Sequence, residues 1–184
     1  MKNVTIMSGE VLSGFSSLIH KKTQIEPEGI FVCRSWTRQW DQGQVIGETF
    51  GDPFIKHNLV VNTGRDYAAR IFFGAIHNFV NNLKLGTDPT PTNLADIDLH
   101  ATIWPGPGQV GQFDSYSFPA VGQGTGIKRI TGNEFGTEYA ITEAGIFFND
   151  GVLLDRAILG NLSVHPTNVD NIEVGLEISW SVIF

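Results

Sequence analysis

The chain has 184 residues, enough to bury a sizeable core either as one domain or as a domain with a short arm. A formal net charge of -7 argues against a nucleic-acid surface, which needs a basic face to neutralise phosphate, and the single Cys33 excludes an intrachain disulfide, a thiol redox pair and a cysteine-built zinc site. Apolar residues at 41% and charged residues at 17% fit a globular protein, and 21 glycines with a Phe-rich aromatic set point to an all-β chain with many turns.

Met1 to Gly9 lacks the apolar core of a signal peptide, and no stretch approaches the length of a membrane span, so the protein is expected to be made and folded in a cytoplasm. Val11 to His20 reads either as a short amphipathic element, weakened by Gly14 and its serines, or as an extended arm that packs on a neighbouring subunit. Glu28 to Trp40 reads as a strand, with Ile30, Val32, Arg34, Trp36, Arg38 and Trp40 in one phase and Phe31, Cys33, Ser35 and Thr37 in the other. Gln44 to Phe50 is a second strand, closed by Gly51-Asp52-Pro53, and Lys56 to Asn62 is a third.

The pattern then turns helical. Thr63 is the expected N-cap of a helix over 64–73, with Asp66 in the acidic place of a capping box and Gly74 as the stop. Tyr67, Ala68, Ile71 and Phe72 share its apolar face, which is expected to cover a sheet edge or end. Phe79 to Leu85 is a strand, followed by a Pro- and Thr-rich turn in which Thr92 can cap a single helical turn over Leu94. Trp104-Pro105-Gly106-Pro107-Gly108 is an irregular loop, and Gln112 to Phe118 and Gly126 to Thr131 are weaker strands around the glycine cluster Gly122 to Gly126. That cluster lacks the preceding strand and following helix of a phosphate loop.

Glu138 to Phe148, the turn Asn149-Asp150-Gly151 and Val152 to Leu159 form a hairpin signature. Past Gly160 and the turn His165 to Asn168, the chain closes on Asn171 to Phe184, where Ile172, Val174, Leu176, Ile178, Trp180, Val182 and Phe184 share one phase of a two-residue repeat. A lone amphipathic strand is not stable in water, so this one must lie inside a sheet. The expected fold is an antiparallel all-β sandwich, jelly-roll-like, with one covering α-helix over 56–184, preceded by an N-terminal arm or attachment subdomain over 1–55.

Five phrases occur in a familiar order: Asn62-Thr63-Gly64-Arg65-Asp66, Leu85-Gly86-Thr87-Asp88-Pro89-Thr90-Pro91-Thr92, Thr142-Glu143-Ala144-Gly145-Ile146-Phe147, Leu153-Leu154-Asp155-Arg156, and Ile178 to Phe184. Together they resemble a module common among tailed-bacteriophage structural proteins of the tail-fibre, collar and minor virion type, over roughly residues 58–184. The resemblance implies a non-catalytic, β-rich component of the virion, present as a symmetric homo-oligomer, a trimer in its typical form, that docks on other virion proteins.

Glu143 and Arg156 stand out as charges in otherwise apolar hairpin strands. A two-residue Asn149-Asp150 loop sets them directly opposite on one face, and a three-residue loop that takes in Gly151 sets them on opposite faces; the sequence leaves both open. The expectation is a structural ion pair that fixes register. Asp96, Asp98 and His100 share a face if extended, but lack the further oxygen ligands and glycine turn of a hard-cation loop, and no histidine pair has metal-ligand spacing. No nucleophile elbow or triad is identifiable, so neither catalysis, metal nor cofactor is expected.

Trp104, Trp36 and Trp40 are the aromatic candidates for contact with a partner subunit or a glycan; Trp104, on its stiff Pro-Gly loop, is expected to meet a partner in preference to the core. The leading functional expectation is thus a virion structural protein. The alternatives are a capsid decoration protein and a glycan-binding host-recognition module, with a cell-wall hydrolase as a third class. Neither nucleic acid nor membrane insertion is expected.

Overall fold

In the computed structural model, residues 28–121 and 123–183 are described. They form β1 (Glu28–Asp41), β2 (Gln44–Phe50), β3 (Phe54–Val60), α1 (Asn62–Phe72), β4 (Val80–Gly86), β5 (Thr102–Trp104), β6 (Ser115–Ala120), β7 (Gln123–Ile130), β8 (Tyr139–Phe148), β9 (Leu153–Val164) and β10 (Ile172–Ile183), with one 3-10 turn at Gly132–Phe135. The described residues make an antiparallel all-β sandwich with, among them, one α-helix.

The strands follow the order β5-β4-β8-β9-β3-β1-β10-β7-β6, with β2 paired to the far end of β1. β3 is the corner: Phe54 to Asn58 pairs with β1, whereas Leu59 and Val60 pair with β9. One layer is therefore β5-β4-β8-β9, and the other is β3-β1-β10-β7-β6. On the side away from β3 the layers are stitched by Leu83 N–H to Gly111 O (2.7 Å) and Phe113 N–H to Asn81 O (3.1 Å). The sheet thus nearly closes on itself around the main core, and a second, smaller cluster of Val61, Leu99, Phe147 and Leu153 is buried apart from it.

The terminal strand is internal, between β1 and β7, with Phe31 opposite Trp180 and Cys33 opposite Ile178. Leu176, Ile178, Trp180 and Val182 are buried as the alternation requires, and the Phe31 and Trp180 rings meet edge-on at 5.0 Å. Before Leu176 the buried phase switches: Glu173 and Gly175 are buried on the opposite face, while Ile172 and Val174 are half-exposed.

The boundary expected at 55/56 does not divide the described residues. β1 is a central strand bonded along its length to β10, so residues 28–55 belong to the sandwich. The arm or amphipathic element expected at Val11 to His20 lies outside the described residues, as does Phe184.

The helix starts at Asn62, earlier than Thr63 as a cap would set it, and no side-chain cap is made. Its start is fixed by tertiary contact. Val61 is buried and donates its N–H to Leu154 O (3.1 Å), and Gly64 lies so close to the Leu154 backbone that a Cβ would overlap it. The C-terminus is as expected, with Gly74 at φ +71 and a Schellman pair, Ala75 N–H to Arg70 O (2.8 Å) and Gly74 N–H to Ile71 O (3.0 Å). Tyr67, Ala68 and Ile71 pack on the core, but Phe72 does not; it is 85% exposed beside Phe73. A single hydrogen-bonded turn forms over Leu94 and Ala95, closed by Asp96 N–H to Asn93 O (3.0 Å), and Asn93, in place of Thr92, accepts the Ala95 N–H (2.9 Å).

Candidate functional site

The hairpin of β8 and β9 carries the charged cluster that organises one side of the molecule. Its loop takes in Gly151 (φ +90), with Gly151 N–H bonded to Phe148 O and Phe148 N–H bonded to Val152 O. A three-residue loop by itself would send Glu143 and Arg156 to opposite faces. A further register shift between Ile146 and Phe147 restores the phase, so that Gly145 opposes Arg156 and Glu143 opposes Ile158. The two side chains meet diagonally on one face.

Both are fully buried. Arg156 Nε (3.0 Å) and Nη2 (2.8 Å) donate to Glu143 Oε2, Nη1 donates to Asp96 Oδ2 (2.9 Å), and Nη2 also reaches Thr90 O (3.1 Å). Glu143 in turn accepts the backbone N–H groups of Ala101 (2.7 Å) and His100 (3.2 Å). Burial alone would raise the Asp96 carboxyl, but the Asn93 N–H and the Arg156 guanidinium outweigh it and hold it below its ordinary value. A buried charge survives only when paired and hydrogen-bonded in this way, and here the partners come from the long segment between β4 and β5. The cluster straps that segment, residues 87–101, onto the sheet.

Four of the five phrases that carry the resemblance meet at this strap; the fifth, on β10, lies in the other layer. A Cβ on Gly86 would overlap the Glu143 carboxyl, and one on Gly145 would press on Leu99 and Leu153. Asn62 N–H bonds Leu94 O (2.9 Å), and Arg65 Nε bonds Val60 O (3.1 Å). Asp96 and His100 are neighbours within the strap, with Nε2 3.6 Å from Asp96 Oδ1. Among the described residues no group of three or more His, Cys, Asp or Glu side chains is arranged to hold a metal ion, and no helix is long and apolar enough to cross a membrane.

The tryptophans are not where they were expected. Trp104 is 0% exposed: it ends β5, pairs with Leu85, packs in the core and donates Nε1–H to Glu134 Oε2 (3.2 Å). The Pro-Gly loop turns its aromatic inward, so Trp104 is unavailable to a partner or a sugar. Trp36 is also 0% exposed, by another route. It lies on the outer face of the β1 sheet over Gly175, a position no larger residue could take, and is roofed by the guanidinium groups of Arg38 (4.5 Å) and Arg129 (4.8 Å). Glu48 bonds both arginines, Arg38 Nε at 2.7 Å and Arg129 Nη2 at 2.7 Å. Trp40 is half-buried, donating Nε1–H to the buried Glu173 (3.3 Å). All three indoles are engaged within the chain.

Sequence reasoning missed two features. Asp155, next to Arg156 in sequence, points to the other face of β9, where it accepts hydrogen bonds from Trp180 Nε1 (3.2 Å) and Asn58 Nδ2. Burial pushes its carboxyl up to about 7 against those bonds. The neighbouring -Leu-Leu- phrase marked an apolar strand but could not show that Trp180, distant in sequence, would cover it.

The second is an apolar cavity of about 370 Å3 that opens between the layers. Ile146, Leu154, Trp180 and Val182 form its inner wall, and Phe79, Tyr116 and Phe118 its exposed rim. Gly126 faces the Phe113 ring at 2.8 Å from where a Cβ would stand, so Gly124 to Gly126 form one wall of the cavity as part of β7. Its lining is mostly apolar, suited to apolar groups, with Tyr116 and Thr125 as its hydroxyl-bearing residues.

Comparisons with protein-family models, with curated proteins and with solved structures find no match to this chain.

Proposed function

We propose that this chain is a non-catalytic structural component of a tailed-bacteriophage particle, which self-associates as a symmetric oligomer and docks on other virion proteins. The observation that carries the reading is its exposed aromatic surface: Phe72 and Phe73, packed on each other at 5.4 Å, together with Phe79, Phe118 and the rim of the cavity. Exposed aromatics of this kind, a stacked pair at the end of α1 and a rim around the cavity, suit burial between subunits. The strap, held by Arg156 paired to Glu143 and Asp96, stiffens the body that would make such contacts, and the trimer follows from the resemblance alone.

The glycan-recognition alternative drew on Trp104, Trp36 and Trp40; Trp104 and Trp36 are buried and Trp40 is half-buried against Glu173, which weakens that reading. Size-exclusion chromatography with light scattering tests the proposal on the full chain. A discrete oligomer, three-fold in mass, is expected; a stable monomer at micromolar concentration overturns it.

A further inference from the structure

The cavity between the layers borders a glycine that neither backbone conformation nor crowding among the described residues requires. Gly124 pairs with Val182 and Gly126 with Trp180, and directly opposed residues share a face, so both glycines stand on the core-facing side of β7, beside the inner wall. At Gly126 the Phe113 ring leaves no room, since a Cβ would come within 2.8 Å of it. Gly124 is under no such constraint. Its backbone is not left-handed, and among the described residues a Cβ there would meet only the Phe118 ring, at an ordinary 3.7 Å. Glycine inside a strand costs stability, and where neither conformation nor packing demands it, it marks a place where another group approaches the backbone.

The chemistry of the space selects that group. Ile146, Leu154, Trp180 and Val182 line its depth, and no charged side chain of the described residues lines it. Its two hydroxyl-bearing residues are already engaged, Tyr116 with Asn81 Oδ1 (2.7 Å) and Thr125 with Ser181 (2.7 Å). A charged or strongly polar group drawn inside would give up its water without gaining a partner. Apolar cavities stay dry and take up hydrocarbon; ~150 Å3 suffices for a benzene-sized ligand, and this cavity measures about 370 Å3. Because it opens between the layers, a ligand with one polar end need not bury that end. We propose that the cavity is a binding site for a single alkyl chain, which enters tail first between β7 and the wall of Leu154 and Trp180 and leaves its polar head outside the aromatic rim. The site lies within one chain and does not depend on the oligomer.

Calorimetric titration of the full chain with straight-chain alcohols from butanol to decanol tests this. Binding is expected to saturate at one alcohol per chain, and the dissociation constant to fall roughly three- to fourfold per added methylene, as burial of hydrocarbon requires. Gly124→Leu fills the space from its own wall and is expected to weaken decanol binding by roughly tenfold or more, with the β-sheet circular dichroism unchanged. Should that variant fail to fold, Phe118→Ala replaces it; Phe118 is exposed on the rim, so the fold does not depend on it, and its loss is expected to weaken binding several-fold. No saturable binding by the parent protein, a dissociation constant independent of chain length, or variants that bind as the parent does each overturn the proposal. Binding that weakens as protein concentration is raised, with decanol releasing smaller species, also overturns it and assigns the cavity to a second copy of the chain.

Discussion

Glu143 and Arg156 meet diagonally across the β8–β9 hairpin because two irregularities, the three-residue loop and the shift beyond Ile146, cancel each other's effect on phase. The register of the hairpin and the pairing of the charges are therefore one constraint. Removing one partner strands the other in a dry interior. Glu143→Gln or Arg156→Met is expected to cost about 3–5 kcal/mol in urea unfolding. The double variant is expected to cost less than the sum. Arg156→Lys is expected to rescue little, since a point charge cannot make the forked contact to Glu143 and still reach Asp96 and Thr90. Hydrogen exchange at the His100 and Ala101 amides is expected to accelerate in each single variant, because both donate to Glu143.

Asp155 predicts a pH dependence of the opposite sign to ordinary carboxylate pairing. Its folded-state value of about 7 lies above the ordinary 3.8, so between these limits the folded protein holds a proton that the unfolded chain has released. The stabilisation is complete below about pH 4 and is lost as pH rises to about 7, with an upper limit of roughly 1.4 kcal/mol per pH unit. Asp155→Asn keeps an acceptor for Trp180 and removes the titration. The stability of the variant relative to the parent is expected to rise between pH 4 and pH 7, measured as the difference in urea midpoints, and to be flat above.

Much of this architecture was legible because a half-buried strand displays its alternation. β1 and β10 follow from it, and the β8–β9 hairpin, whose strands are buried almost continuously, from the chemistry of the Asn149-Asp150-Gly151 turn between two apolar runs. What was hidden depends on contacts between distant segments. The corner in β3, the helix start set by Val61 on Leu154, and the second hairpin bulge leave no local trace. Composition misled at Trp104, where prolines and glycines mark a loop without telling which way its aromatic turns. Trp36 shared a phase with three other apolar residues and two arginines, and it is buried by one of these, Arg38, together with Arg129 from the distant β7.

Trp104→Ala separates core burial from partner contact. A buried indole with its N–H satisfied by Glu134 leaves a large cavity when truncated, and the loss is expected to be about 3–5 kcal/mol of stability at any protein concentration. A contact between subunits would make the loss disappear on dilution to monomer. Trp104→Phe is expected to recover most of it.

Gly64 and Gly175 admit no side chain, for different reasons. At Gly64 the obstacle is the Leu154 backbone, and at Gly175 it is the Trp36 ring and the Ile130 carbonyl. Gly64→Ala and Gly175→Ala are each expected to destabilise by about 1–3 kcal/mol, as overpacking does. Gly175→Ala is also expected to alter the environment of the Trp36 indole, read as a shift in tryptophan emission, whereas Gly64→Ala is expected to loosen α1 and leave that signal unchanged.

Phe72 and Phe73 discriminate between folding and assembly. Both rings are more than four-fifths exposed at the end of α1, outside the core that Tyr67, Ala68 and Ile71 join. Replacing both with serine removes apolar surface that the single chain does not bury, so its unfolding free energy is expected to change by no more than about 0.5 kcal/mol. If the pair lies in the subunit interface, desolvated aromatics at its centre dominate the affinity, and the dissociation constant is expected to rise by roughly tenfold or more. Sedimentation across a dilution series measures it. An unchanged constant would remove this end of the helix from the interface and leave the cavity rim as the surface to test next.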